Sequence, residues 1–226
     1  MLASILSIRS ALSQKVTQMN EQSSNTIAYP AHGNLYLNIT NRCTCNCIFC
    51  IKNYSNGVYG YNLILSSEPD VKEVIADLDL FDLSTFNEVV FTGLGEPLSR
   101  LDDVLEITKW LKARDMKVRI DTIGHARLQY PNRNVAHELK NAGVDEISIS
   151  LNTHDEKTYN ELVRPRMYKN AYQSVKDFAR DVVKEGIKLR FTVLDLPPVD
   201  IEKSREIADE IGAEFKIRRY GGPAVV

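Results

Sequence analysis

From Asn34 onward the chain keeps changing the period of its apolar positions. The stretch NLYLNIT (34–40) alternates, with Leu35, Leu37 and Ile39 on one side and Tyr36, Asn38 and Thr40 on the other, the period-two mark of a strand with a single apolar face. Helical spacing follows from about Glu68 to Leu80. The exchange then repeats, with strand NEVVFTG (87–93) and a helix over Leu101 to Ala113, then strand KVRIDTI (117–123) and a helix near Asn134 to Asn141. Strand DEISISL (145–151) precedes helical patterns over Asp155 to Val163 and Asn170 to Lys184. Strand KLRFTVL (188–194) leads to a helix over Ile201 to Ile211 and a last strand, EFKIRRY (214–220). Strands separated by helices predict βαβ units and a parallel sheet.

The two faces of these strands differ. Val118 and Ile120 oppose Lys117, Arg119 and Asp121; Ile147, Ile149 and Leu151 oppose Ser148, Ser150 and Asn152; Leu189 and Phe191 oppose Lys188, Arg190 and Thr192; Phe215 and Ile217 oppose Lys216, Arg218 and Tyr220. A doubly wound sheet is buried on both faces and its strands read as continuous apolar runs. Here one apolar face suits covering helices and one polar face suits a wet cavity. The expected fold is therefore α/β, a partial (β/α)6 barrel with a parallel curved sheet and the helices outside. An antiparallel sheet with a solvent face would alternate in the same way, but its neighbours are joined by short hairpins and not by helices of ~10 residues. In such barrels the chemistry collects on the loops that follow the strands.

Before this region the pattern is different. Residues 1–26 are rich in Ser and Gln, and Leu2, Ile5, Leu6, Leu12 and Val16 fall at roughly helical spacing. They are read as an amphipathic extension ahead of a domain over residues 27–226. Arg9 and Lys15 are too few bases for an organelle address.

A chain of 226 residues can bury a single core without covalent staples. Its 28 basic and 30 acidic side chains leave a formal charge of -2, which gives no reason to expect a general electrostatic grip on nucleic acid and leaves local basic patches open. No run approaches the ~20 apolar residues of a bilayer-spanning helix, and no secretory pattern is seen. A cytoplasmic protein with no membrane partner is expected. That compartment is reducing, so clustered cysteines there point to metal or redox chemistry before disulfides.

All four cysteines lie in RCTCNCIFC (42–50). Cys43, Cys47 and Cys50 form C-x3-C-x2-C, with Cys45 inside the first gap. Three thiolates on a tight loop leave one iron of a four-iron cluster open to a ligand. Four thiolates would instead complete a closed zinc site, although the stretch lacks the two separated knuckles of common zinc folds. His32, His125, His137 and His154 are scattered and form no metal spacing.

C-x3-C-x-aromatic-C after the first strand of a partial α/β barrel resembles the radical S-adenosylmethionine (radical SAM) superfamily. The resemblance implies that Cys43, Cys47 and Cys50 ligate a [4Fe–4S] cluster whose open iron chelates S-adenosylmethionine, that Phe49 lies by the adenine, and that Cys45 is no ligand. It implies reductive cleavage of that cofactor to methionine and a 5′-deoxyadenosyl radical. FTGLGEP (91–97) resembles the family's Gly-Gly-Glu-Pro turn in a Gly-x-Gly-Glu-Pro form, with Leu94 at the departing position. Gly93, Gly95 and Glu96 are then implied in binding the cofactor's amino group. In SISLNT (148–153), Ser150 and Asn152 stand where family members bind the ribose or carboxylate. Asp121 and Thr122 lie at a similar level one strand earlier, and Arg164 in LVRPR (162–166) offers a bidentate fork for a carboxylate. LYLNITNRCTCNCIFC (35–50), with the short chain, is most similar to the TatD-associated radical SAM proteins. The resemblance spans about Asn34 to Tyr220 and does not name a reaction. It implies an electron donor such as a ferredoxin or flavodoxin, and the subgroup's name points to a TatD-type hydrolase as a partner.

Arg119, Arg190 and Arg218, helped by Lys216, fall on the polar side of their strands, so an electropositive cavity and an anionic substrate are expected. Asp121 or Asp195 could balance one or two of them. Two function classes follow: an enzyme that generates a substrate radical, or a non-catalytic iron–sulfur or zinc-binding module for electron transfer or for assisting a hydrolase. Such a module needs neither a Gly-Glu-Pro turn nor a cofactor pocket, and the presence of both favours the enzyme.

Overall fold

Leu35 and Leu37 are fully buried while Tyr36 between them faces the other way, and this one strand sets the geometry for those that follow. The computed structural model describes residues 25–166 and 168–223. The extension read over residues 1–26 lies outside them but for its last two positions.

Strand β1 (Ala28–Ala31) pairs antiparallel with β2 (Asn34–Asn38). His32 and Gly33 between them both have left-handed backbone, φ 51 and 76, the geometry of a two-residue hairpin loop whose twist matches its strands. The sequence reading missed β1: Pro30 argues against a central strand, and His-Gly is a weak form of the usual Asn-Gly turn. The structure resolves the conflict by placing β1 at an edge, where a proline costs no ladder bond.

From β2 the sheet runs in chain order through β5 (Val89–Thr92), β6 (Val118–Thr122), β7 (Glu146–Asn152), β8 (Lys188–Leu194) and β9 (Glu214–Arg218), and every one of these pairings is parallel. A small hairpin, β3 (Gly57–Val58) with β4 (Tyr61–Asn62), stands apart. Helices α1 (Val71–Leu78), α2 (Leu101–Lys112), α4 (Val135–Ala142), α6 (Ala171–Lys184) and α7 (Ile201–Ile211) connect the parallel strands, with short α3 (Ala126–Gln129) and α5 (Glu156–Val163) inserted after β6 and β7. Consecutive connecting helices touch side by side, α1 with α2, α2 with α4, α4 with α6 and α6 with α7. They form one layer on one face. The sheet does not close, since β1 and β9 each have a single neighbour.

Capping explains why helices begin where they do. The helical pattern from Glu68 starts only at Val71, because Asp70 and Glu73 form a reciprocal cap, Glu73 N donating to Asp70 Oδ1 at 2.8 Å and Asp70 N to Glu73 Oε2 at 2.7 Å. Asn134, Asp155 and Asp200 accept from the first turns of α4, α5 and α7, and Gly143 and Gly212 end α4 and α7 in left-handed backbone.

The apolar strand positions Leu35, Phe91, Ile120, Ile149 and Phe191 meet the helix layer in one continuous core. No helix among the described residues is long and apolar enough to cross a membrane. Phe191 on β8 is fully buried where β8 packs on α6 and α7. Phe191→Ala is expected to destabilise the chain by about 3–5 kcal/mol, checked by urea unfolding of variant and parent.

Candidate functional site

The cysteine loop leaves β2 and is gripped on both flanks by backbone. On one side Glu96 N donates to Arg42 O at 2.7 Å. Opposite, Asn46 N reaches Val163 O and Arg164 O at 3.2 and 3.1 Å, Ile48 N reaches Leu162 O at 2.9 Å, and Arg166 N donates to Thr44 O at 2.9 Å. The loop after β5 and the end of α5 thus clamp a segment that has no regular structure of its own, and the end of α5 satisfies two of its amides.

The first clamp depends on glycines. A side chain at Gly95 would overlap the carbonyl oxygens of Thr40 and Arg42, and one at Gly93, where φ is 124, would overlap Asn38. Asn38 is fully buried and donates to Thr26 O at 3.0 Å and Leu63 O at 2.8 Å. The glycines therefore let two loops close on each other.

Cys43, Cys47, Cys50 and Phe49 line a recess of about 440 Å3 together with Gly93, Gly95, Glu96, Asp121, Thr122 and Ser150. Residues far apart in sequence are thereby brought to one chamber. Asn152 and Arg164 do not line it. Asn152 is buried with φ 65 and donates to Ser150 O at 3.2 Å, and Arg164 ends α5 with its Nε 3.3 Å from Glu161 O.

Cys45 turns away from the chamber into the core, where it is 4% exposed. Its Sγ lies 3.8 Å from His125 Nδ1, which is also 3.0 Å from Thr44 Oγ1, and His125 Nε2 lies 2.8 Å from the Tyr159 hydroxyl. Burial pushes the fully enclosed His125 down to about 4, so the ring is neutral near pH 7 and acts as a hydrogen-bonding strut. Sequence reading passed over it because its partners come from a different loop and helix. Cys43 is held below the usual thiol range by hydrogen bonding with Cys45 and by the charges of Lys52 and Arg166, and Cys45 is pushed up by the same contact and by Cys47. Cys50 is raised by burial.

Glu96 is 2% exposed. Burial pushes it up to about 7, against three donors that favour its charged form: Ile123 N at 2.8 Å, Thr122 Oγ1 at 2.7 Å and Leu98 N at 3.0 Å. A carboxyl so oriented, at the edge of a chamber, would be stabilised as an anion by a bound cation.

The inward cations separate into two groups. Arg119 is bound by Glu88 at 3.1 Å and by Asp121, and Arg190 by Glu146 at 2.8 Å and Glu214 at 3.3 Å. Lys188 and Lys117 complete this network around Glu146, Glu214 and Glu88. Arg119 and Arg190 are therefore ion-paired parts of the floor: Asp121 is one of the partners expected, and Glu88, Glu146 and Glu214 are the ones that were not. Strand register puts Glu146 beside Lys188 and Glu214 beside Arg190, and no linear reading of one strand shows its neighbour. Asp195 pairs with none of them; its amide donates to Arg218 O at 3.0 Å. Lys216 and Arg218 line the chamber wall on β9.

A family model described as the Radical SAM superfamily matches residues 37–211. The chain belongs to the radical SAM superfamily. Membership makes it one of a family of enzymes and implies a [4Fe–4S] cluster and S-adenosylmethionine. A protein named probable GTP 3′,8-cyclase from Saccharolobus islandicus is 30% identical over 179 residues, covering 79% of this chain and 53% of that one. A GTP 3′,8-cyclase from Lactiplantibacillus plantarum is 30% identical over 137 residues, covering 59% and 37%. The chain spans about half the length of the first, or less of the second. Among solved structures, Streptococcus suis SuiB bound to S-adenosylmethionine superposes with a TM-score of 0.66 at 19% identity, covering 93% of this chain and 44% of that chain. Methylornithine synthase gives 0.58 at 16% identity, covering 83% and 53%. At these identities the structures speak for the shared α/β fold alone.

The chamber suits what this radical SAM chain's family implies. Three thiols open to one recess are the kind of donor set that leaves one iron of a four-iron cluster vacant. Gly95→Ala is expected to force the cysteine loop off the turn after β5. Stability should fall by on the order of 1–3 kcal/mol, and iron retained after anaerobic reconstitution should drop sharply, read by thermal unfolding and iron analysis.

Proposed function

We propose that this radical SAM protein holds a [4Fe–4S] cluster on Cys43, Cys47 and Cys50 and binds S-adenosylmethionine against the Gly93–Glu96 turn. The observation that carries the reading is that the three thiols, Phe49 and Glu96 line one recess although two separate loops supply them. When bound, the reduced cluster and cofactor supply methionine and a 5′-deoxyadenosyl radical that takes hydrogen from the substrate.

The chain's own residues do the rest. Glu96, fixed by Thr122, Ile123 and Leu98, accepts from the cofactor's ammonium, and Phe49 packs by the adenine. Ser150 and Asp121 reach the cofactor or substrate from the inner face, with Asn152 holding the end of β7 and Arg164 the flank of the cysteine loop. The ion pairs of Arg119 and Arg190 line the floor of the chamber. The substrate is anionic, a reading supported by the cations on β9. An incomplete (β/α)6 barrel over residues 27–226 belongs to the same proposal, supported by strands in chain order, a single helix layer and a polar inner face.

The stretch LYLNITNRCTCNCIFC supports placement in the TatD-associated subgroup, and with it a TatD-type hydrolase as partner. The electron donor is a ferredoxin or flavodoxin in a cytoplasmic setting, a reading supported by the free thiols. The likeness to proteins named GTP 3′,8-cyclase favours a second reading, in which the substrate is a guanine nucleotide.

The test is anaerobic reconstitution with iron and sulfide, dithionite reduction and chromatography for 5′-deoxyadenosine. Wild-type protein should form it and Cys47→Ser should not, while Glu96→Gln should weaken S-adenosylmethionine binding about tenfold or more, the loss of a hydrogen bond between charged groups. A cluster-loaded wild type that forms no 5′-deoxyadenosine sinks the reading. Consumption of added GTP by the wild type would favour the second substrate.

A further inference from the structure

Beyond Ser150, the inner wall on β8 and β9 carries Thr192, Lys216 and Arg218, to which cofactor binding assigns no role. Strand register aligns Ser150 with Thr192 and Thr192 with Lys216, so hydroxyl, hydroxyl and ammonium form one row across β7, β8 and β9. Neighbouring strands are about 4.8 Å apart, and alternate residues of one strand share a face. Arg218 stands one repeat further toward the C-terminal end of β9, on the same face as Lys216. All four residues line the chamber.

The charge on this wall is uncompensated. Each carboxylate near the floor already has its cation: Glu146 and Glu214 hold Arg190 and Lys188, and Glu88 and Asp121 hold Arg119. Among the described residues, Lys216 and Arg218 have no ion pair. Asp121 does face Arg218 electrostatically, but it is bound to Arg119. Both side chains lie on an exposed stretch of β9 that borders the chamber, so an entering anion reaches two cations that no carboxylate of the described residues already holds.

We propose that Thr192, Lys216 and Arg218, with Ser150 at the row's inner end, bind a phosphate group of the substrate. This rests on the reading of the recess as the substrate chamber. A single carboxylate is satisfied by one arginine fork. Two cations in successive rows, flanked by two hydroxyl donors, match instead the near-dianionic charge and three acceptor oxygens of a phosphate monoester or terminal diphosphate. The floor salt bridges serve specificity, because among the described residues they engage the floor's cations and so disfavour a reversed pose of the group.

Titration calorimetry on reconstituted protein at constant ionic strength tests this with inorganic phosphate, pyrophosphate and succinate as probes. Phosphate or pyrophosphate should bind saturably, and the tighter of the two tells a monoester site from a diphosphate site. Lys216→Gln and Arg218→Gln should each weaken binding about tenfold or more, and Lys216→Arg should keep most of it, separating charge loss from misfolding. The proposal is overturned if neither phosphate probe binds, if succinate binds as tightly with the same dependence on both residues, or if Lys216→Gln and Arg218→Gln lose affinity for S-adenosylmethionine, which would assign the cations to the cofactor's carboxylate. Phosphate binding that depends on these residues, in wild-type protein that makes no 5′-deoxyadenosine, would support this site while removing the radical chemistry.

Discussion

The contact that the site depends on is that of the turn after β5 with the stem of the cysteine loop. Glu96 N donates to Arg42 O at 2.7 Å, and Gly95 has no side chain because the carbonyls of Thr40 and Arg42 occupy its place. Everything else in the chamber is referred to that contact. It sets the height of Cys43 above β2, aims Glu96 inward, and brings two motifs separated by helix α1 to within one hydrogen bond. The loop's other flank, on Leu162, Val163 and Arg164, completes a grip made of backbone on both sides. Backbone grips tolerate side-chain variation but not added volume.

Beneath the loop the protein buries polar groups in place of apolar filling. Thr44, Cys45, His125 and Tyr159 form a connected set, and burial keeps the imidazole neutral. A connected set specifies one arrangement where loose apolar contacts would allow several. Cys45 thus has a place in the core: it is buried and lies against the strut.

Charge inside the sheet is ordered along the strands. Near their N-terminal ends, acids and bases from adjacent strands neutralise each other; further along β9, Lys216 and Arg218 have no ion pair among the described residues. One amino-acid type therefore has two roles. Arg190 braces the floor and Arg218 faces the chamber, and the difference lies in whether the neighbouring strand presents a glutamate at the same level.

The alternation of apolar and polar residues by itself determined the parallel α/β sheet, its chain-order helices and which side of each strand looks inward, because these follow from periods of 2 and 3.6 that one segment carries alone. The cysteine spacing and the Gly-x-Gly-Glu-Pro stretch likewise were legible, since a few contiguous residues hold the signal. Only the tertiary structure decided the edge position of β1, the burial of Cys45 on His125, the absence of Asn152 and Arg164 from the chamber lining, and the pairing of Arg119 and Arg190. Each of these depends on register between strands or on contact between loops far apart in the chain. Distance and burial arise only when separate segments meet, and no local pattern encodes them.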